Sequence, residues 1–456
     1  MSDTPFYRRP IPVKAIGKYL LMSMLVSSIP ALLSFAWSAR PLNPEKEYGV
    51  VPRGTPEPNA HDIFREAHDV FQTSRVGIKV PALVLDVSAP RGTVEEDPKK
   101  YPLAGKVRWV QQNRRGFELF EKALKTDYVF PAHSAARPDG EIDSAYFLRW
   151  LAKYVSVECE VLAAQGKPDK AINRAFDIWQ MGDQSRQDAP LIVALNAFAV
   201  EAVARRALDG EIAHLNGPQA RLLARRLEDM LSRRVSRREV LQGERNVMLL
   251  QVKRRMETAI RDEKREKEIE AASARGETNF YFDGKPAPEL RGPIINWKVR
   301  RLSDGFARGM DALLANADAP WSKHQTTLPS DLDETTTKLI GVLDKSSFHF
   351  ARSDALAQIT LARLALHAYR KDKGSYPPTF SALISDYLTK SPTDVFADGR
   401  ELRYKRSGSR YTLWSVGPDA RDDQARAAVN PNARTPQGRY LVAADASGDI
   451  VANISR

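Results

Sequence analysis

Cysteine is almost missing from this 456-residue chain. With Cys159 alone, no intrachain disulfide forms, and a cysteine-rich zinc site or an iron–sulfur cluster has no ligands. Histidine is scarce and scattered, at positions 61, 68, 133, 214, 324, 349 and 367. His61 and His68 share a helix face with Glu66 nearby, a pattern that a surface face explains as well as a metal site does. The sequence has no Gly-x-x-x-x-Gly-Lys loop, no His-Glu-x-x-His helix and no Gly-x-Ser-x-Gly elbow. The strongest local signatures of phosphate binding, zinc proteolysis and esterase chemistry are therefore excluded.

Long hydrophobic runs are equally few. One, Tyr19 to Trp37, holds 19 residues without a charge, close to the ~20 that cross a bilayer as a helix. Arg8, Arg9, Lys14 and Lys18 precede it, whereas Arg40 is soon offset by Glu45 and Glu47. Positive charge stays on the cytoplasmic side, so residues 1–18 form a cytoplasmic basic tail and the rest is extracytoplasmic. The expectation is a single-pass inner-membrane anchor. A cleaved signal peptide, with Ala36 and Ser38 at the positions a peptidase reads, is the alternative, but its apolar stretch is usually shorter. A second run, Ala189 to Val200, has 12 residues and includes Asn196; it reads as the central helix of a bundle, too short to cross.

The balance of 69 Lys and Arg against 57 Asp and Glu is +12, and Arg221 to Met310 carries 22 basic and 14 acidic residues. Acids are interleaved there, and stacking aromatics and paired Cys and His ligands are absent, so nucleic acid is not expected as a partner. A solvated charged helix is the plain reading, with anionic lipid headgroups as the functional alternative.

Residues 38–60 are a Pro-rich tether with little apolar material. Residues 61–334 read as mainly helical. Residues 77–87 look extended, and helical spacing returns through Val107, Val110, Phe117, Phe120 and Leu124. Phe147, Trp150, Leu151, Tyr154, Val155, Val161 and Leu162 predict one buried stripe. Gly166 and Pro168 mark a tight turn into a second helix that faces inward through Ala171, Ala175, Phe176 and Trp179. A charged long helix is expected near 218–270, with a break at Gly243, followed by a loop over 271–296. Glu158, Glu160 and Glu201 lie near this core, with Arg205 one turn from Glu201. A buried acid of raised pKa is a catalytic candidate, but pairing with arginine or reaching solvent at the bundle edge is the plainer reading of these acids, and none is assigned a catalytic role. Cys159 has no assignable base and reads as a buried small side chain.

Residues 335–456 form a distinct α+β module: a helix from about Thr335 to Lys373, a short helix from Thr379 to Leu388, and two hairpins. The first hairpin turns around Ser407-Gly408, the second around Asp445 to Gly448. Gly374, Tyr376, Pro377 and Pro378 end the long helix, followed in order by Asp394, Phe396, Gly399, Tyr404, Tyr411, Ser415, Gly417 and Asp419. This series resembles the globular part of the major, G-type pseudopilin of type II secretion. The whole layout also resembles an uncharacterised group of membrane-anchored bacterial proteins. The resemblance implies secretion or envelope proteins as partners and a calcium loop using Asp419 with Asp422 or Asp423. Val395 replaces the family's proline, and two larger departures stand out: Met22 occupies the place of the glutamate that follows a pseudopilin leader, and about 300 residues separate the expected span from the module where a pilin uses one continuous helix.

The fold expected is mainly α with a C-terminal α+β module: a transmembrane helix, a helical bundle, then a long helix with a small antiparallel, pseudopilin-like sheet. The function expected is a membrane-anchored extracytoplasmic interaction or assembly protein without catalysis. The alternative is an extracytoplasmic enzyme whose active site lies in the bundle and whose tail serves for docking.

Overall fold

The computed structural model describes residues 40–50, 54–73, 103–131, 140–252, 293–429 and 442–452. The basic tail, the expected span 19–37, the extended stretch 77–87 and most of the expected 271–296 loop lie outside the described residues. The chain is mainly helical with a small antiparallel sheet at its C-terminus. Among the described residues no helix is long and apolar enough to cross a membrane.

Two compact units are distinguished, one of Met1–Val51 with Leu249–Ala307 and one of Pro52–Met248 with Arg308–Arg456. In the first, the tether contains a short helix, α1 (Pro44–Tyr48). Asn43 accepts the Lys46 N–H at its start, and Gly49 ends it in the left-handed region at φ 63°. Glu47 pairs with Arg300, and the Tyr48 hydroxyl donates to Asp304.

The larger unit opens with α2 (Ala60–Thr73), α3 (Leu103–Gln112) and α4 (Arg114–Leu124). The helical spacing from Val107 to Leu124 is thus shared by two helices, separated at Asn113, whose side chain donates to the Trp109 carbonyl. Next come α5 (Gly140–Ala164) and α6 (Pro168–Gln184). Gly166 takes φ 72° at their junction and Pro168 starts α6, the turn that the sequence predicts. The inward stripe of α5 is buried except at Trp150, which is 40% exposed, and at half-buried Leu162. Helix α7 (Leu191–Glu211) packs on both α5 and α6 and is buried on most sides, as an all-round apolar helix must be.

Among the described residues the charged stretch is not one helix, and its 253–270 part lies outside them. Helix α8 (Gly217–Ser232) stops at Arg233, and α9 covers 237–252. Ser236 starts α9 with a reciprocal cap: its hydroxyl accepts the Glu239 N–H while Glu239 accepts the Ser236 N–H. Gly243, expected as a break, sits inside the helix because a Cβ there would stand 2.8 Å from the Ala189 carbonyl oxygen. Its role is close approach. One residue on, Glu244 accepts the Leu191 N–H at 2.7 Å and caps α7.

After α10 (Pro293–Ala315), Asp333 caps α11 (Glu334–Lys345), which passes through Ser346 into α12 (Ser347–Lys373). The single helix expected from Thr335 is therefore divided. Around Ser346 the backbone tightens to three-residue hydrogen bonds, from Ser346 N–H to Leu343 and from His349 N–H to Ser346. The boundary expected near residue 334 falls inside the larger unit, where α12 packs along α8 and one apolar core runs from α2 to the sheet.

Gly374 ends α12 at φ 74°, as expected. The helix expected over Thr379 to Leu388 is only a turn of 3₁₀ helix, Phe380–Leu383. Ser385 takes φ 76°, and Leu383 accepts from both Tyr387 and Leu388, which closes the chain into a loop. Strand β1 (Thr393–Asp394) pairs antiparallel with β2 (Arg400–Glu401). Strands β3 (Arg403–Ser407) and β4 (Arg410–Ser415) form the predicted first hairpin. Residues 439–441 of the second expected hairpin lie outside the described residues, and β5 (Ile450–Val451), its other strand, pairs with Trp414 and Ser415 of β4.

Candidate functional site

The motif residues of the C-terminal part converge on one lock. Asp394 is fully buried, and its carboxylate accepts the Phe396 N–H at 3.1 Å, the Ser415 hydroxyl at 2.7 Å and the Val416 N–H at 2.8 Å. These bonds tie the β1–β2 turn to the end of β4. Burial raises the Asp394 pKa even though the N–H and hydroxyl donors favour the charged form. Gly399 closes the turn in the left-handed region, its N–H donating to the Asp394 carbonyl. Gly417 follows the lock; a Cβ there would stand 2.2 Å from the Gly448 carbonyl oxygen, so only glycine lets the two segments cross.

Tyr376 folds over the end of α12, its ring 4.7 Å from Tyr411 and its hydroxyl accepting from Arg370 at 3.1 Å. The Pro377 carbonyl accepts the Tyr404 hydroxyl at 2.8 Å. Phe396 is buried edge-on against Trp321 at 4.9 Å, and Trp321 donates to the Pro418 carbonyl. Trp321 was not singled out by the sequence, because an aromatic 75 residues upstream of its partner leaves no local signal.

The three carboxylates of the expected calcium loop are otherwise engaged. Asp422 accepts from the Trp414 indole and from Arg403, both at 3.0 Å. Asp423 accepts from Arg426 at 2.6 Å, and Asp419 accepts the Arg421 and Gly448 N–H groups. The acid at the centre of the loop is Asp449, which sequence reasoning missed; it accepts the Asp423 and Ala425 N–H groups at 3.2 and 2.6 Å. Burial, with Asp422 and Asp423 nearby, pushes its carboxyl up to about 6. Among the described residues no group of three or more His, Cys, Asp or Glu side chains is placed to hold a metal ion. With two of its expected ligands already neutralised by arginine, the loop does not fit the calcium site that the resemblance implies.

The bundle holds a second constellation. Glu201 is fully buried, and its carboxylate meets Arg234 at 2.6 Å, Arg186 at 3.1 Å, Arg205 at 3.5 Å and the Ser353 hydroxyl at 2.7 Å. Burial pushes its carboxyl up, but Arg234, Arg186 and Arg205 outweigh that and leave it below the ordinary range. Asp183 takes Arg186 and Asp354 takes Arg234 on the outer side. Glu158 pairs with Arg174 and Glu160 with Lys106. Cys159 is buried, and its thiol is pushed up by that burial. His61 and His68 are separated by the Phe147 ring, at 5.4 and 5.9 Å from it, and Glu66 pairs with Arg115 instead.

A third set joins bundle to tail. Glu228 of α8 accepts the Thr389 N–H at 2.8 Å, the Thr389 hydroxyl at 2.6 Å and the Lys390 N–H at 3.3 Å. Arg221 and the Tyr387 hydroxyl both donate to Asp372, and Arg225 donates to the Ser385 carbonyl. The chain was compared with known protein families, with curated proteins and with solved structures, and it matches none of them.

Proposed function

We propose that this chain is a membrane-anchored, extracytoplasmic interaction or assembly protein. Residues 19–37 hold it in the inner membrane, and its C-terminal part is a pseudopilin-like module that meets secretion or envelope proteins. The observation that carries this reading is the Asp394 lock, reached through the Gly374 cap and the Tyr376–Tyr411 contact in the order the resemblance requires. Docking is favoured over polymerisation because α12, the helix leading into the module, is covered within the chain by α8 and α7. Met22, in place of the leader-following glutamate, supports the same conclusion. The acids near the bundle core serve as ion-pair partners, which supports a scaffold.

The test is photocrosslinking in living bacterial cells from the exposed positions Leu222 and Val342, which are 70% and 64% exposed. Recovery of a secretion or envelope-assembly component supports the proposal. Adducts confined to cytoplasmic proteins, or a reporter fused after residue 60 that is active only in the cytoplasm, would overturn it.

A further inference from the structure

Tyr146, Arg149, Trp150 and Lys153 lie at spacings of three and four on α5, which places them on one helix face. Their neighbours Phe147, Leu148, Leu151, Ala152, Tyr154 and Val155 fill the core. The outward face keeps two large aromatics in contact with water, Tyr146 at 49% and Trp150 at 40% exposure. The Lys153 ammonium lies 4.4 Å from the centre of the Trp150 ring.

Charge on this face is unbalanced. Burial lowers the Lys153 pKa, and the neighbouring Arg149 lowers it further. No acid counters them among the described residues, since the carboxylates of adjacent α2 are turned to other partners. Asp62 meets His61, Glu66 meets Arg115 and Asp69 meets His68. The Tyr146 end of the face lies near the start of α2, which follows directly on residues 54–59. Asn59 is fixed there by its side-chain bonds to the Val129 N–H and carbonyl. The two helices run alongside each other in the same direction, with His61 against Phe147 and Phe71 against Tyr154.

We infer that the Tyr146–Arg149–Trp150–Lys153 face seats on the anionic headgroups of the membrane in which the chain is anchored. Amphipathic aromatic rings settle at headgroup depth, and cations beside them are drawn to anionic lipid. The tether, about twenty residues from Trp37 to Ala60, holds the face at high effective concentration near the bilayer, an advantage no diffusing acidic protein has. The inference rests on the reading of residues 19–37 as an anchor.

The test uses the full chain in vesicles of phosphatidylcholine alone or mixed with phosphatidylglycerol. A nitroxide is attached at Tyr146→Cys, with Leu222→Cys as the distant control; the one native thiol, Cys159, is buried. In anionic vesicles the label at 146 becomes severalfold more accessible to oxygen and less accessible to an aqueous nickel reagent, while position 222 stays aqueous. Adding Arg149→Gln and Lys153→Gln, whose circular dichroism reports whether the fold is kept, weakens seating by about thirtyfold, roughly fivefold per cation. A chain that stays inserted after alkaline washing but shows the same aqueous signal in both vesicles overturns the inference while leaving the anchor intact. Extraction by the wash overturns the anchor reading. A label that is aqueous on both vesicles yet shielded in intact cells marks a protein partner and overturns the lipid assignment.

Discussion

Replacing Glu201 with glutamine tests whether the bundle core is held by charge. The substitution keeps the shape and removes the one acid that Arg186, Arg205 and Arg234 share, leaving Arg186 and Arg234 their outer partners Asp183 and Asp354. At about 4 Å and an effective dielectric of about 20, each contact is worth roughly 4 kcal/mol before desolvation and arginine–arginine repulsion are subtracted. Breaking a buried pair on one side costs about 3–5 kcal/mol net, because the partner charge is left uncompensated. Burial already holds the Arg205 guanidinium down to about 10 despite its contact with Glu201, so this cation loses most. The assay is urea unfolding of the full chain in detergent, followed by helical circular dichroism. With a slope of about 3 kcal/mol/M, the midpoint falls by roughly 1–2 M. Combining Glu201→Gln with Arg205→Met recovers part of the loss by deleting one stranded charge. The contribution of Glu201 is present above the ordinary glutamate pKa and fades as pH falls below it, since its folded pKa is lowered. A midpoint within about 0.2 M of the parent would refute the reasoning, showing that the three guanidinium groups find other partners.

Asp394→Ala leaves the Val416 and Phe396 N–H groups and the Ser415 hydroxyl without their acceptor, at about 2–4 kcal/mol. Hydrogen exchange is expected to accelerate over 394–417 and not in α5; uniform acceleration would deny a local lock. Asp449 titrates from a raised folded value near 6, so its loop is firmest below the unfolded carboxyl pKa of 3.8 and loosens as pH rises through about 6. In Asp449→Asn that pH dependence disappears, as read by Trp414 fluorescence; if it persists, another group carries the titration. Gly374→Ala places a Cβ at φ 74° in open space, so strain alone costs about 1 kcal/mol, measurable as a small drop in thermal midpoint.

Local chemistry made part of this fold legible. Apolar spacing located α5 and α6, Gly166 with Pro168 located their turn, and Gly374 with the double proline located the end of α12. The charged stretch misled because its helical pattern is unbroken. The Ser236-x-x-Glu239 capping box inside it was readable, whereas Gly243 looked like punctuation and serves close packing against Ala189. The Ser385 corner was invisible, since serine carries no marker for positive φ. The order of motif residues marked Asp394 and Ser415 but did not say that they meet, and it left Asp449 out altogether. The Glu201 constellation draws on α6, α7, the link before α9 and α12, and partners so distant in sequence leave no spacing to read.

The C-terminal part looks separable in sequence, and α12 argues that it is not. Of its 27 residues, 15 are buried, more than one helix face supplies, so sheet and bundle claim it from different sides. On the bundle side, Arg363 meets Asp209, the His367 ring donates to the Leu215 carbonyl at 3.0 Å and Asp372 receives Arg221. Below these, Glu228 holds the Thr389 corner. A fragment beginning at residue 335 would keep the Asp394 lock but strip away these partners. It would also expose an Ala- and Leu-rich face at roughly 1.5–3 kcal/mol for each large apolar side chain. That loss matches the whole stability of a small domain. Fragment 335–456 is therefore expected to be aggregated or to melt without a cooperative transition, whereas the full chain unfolds cooperatively. A soluble fragment with dispersed amide resonances and a sharp transition would show that the sheet and its lock suffice, and that the contacts with α8 are dispensable.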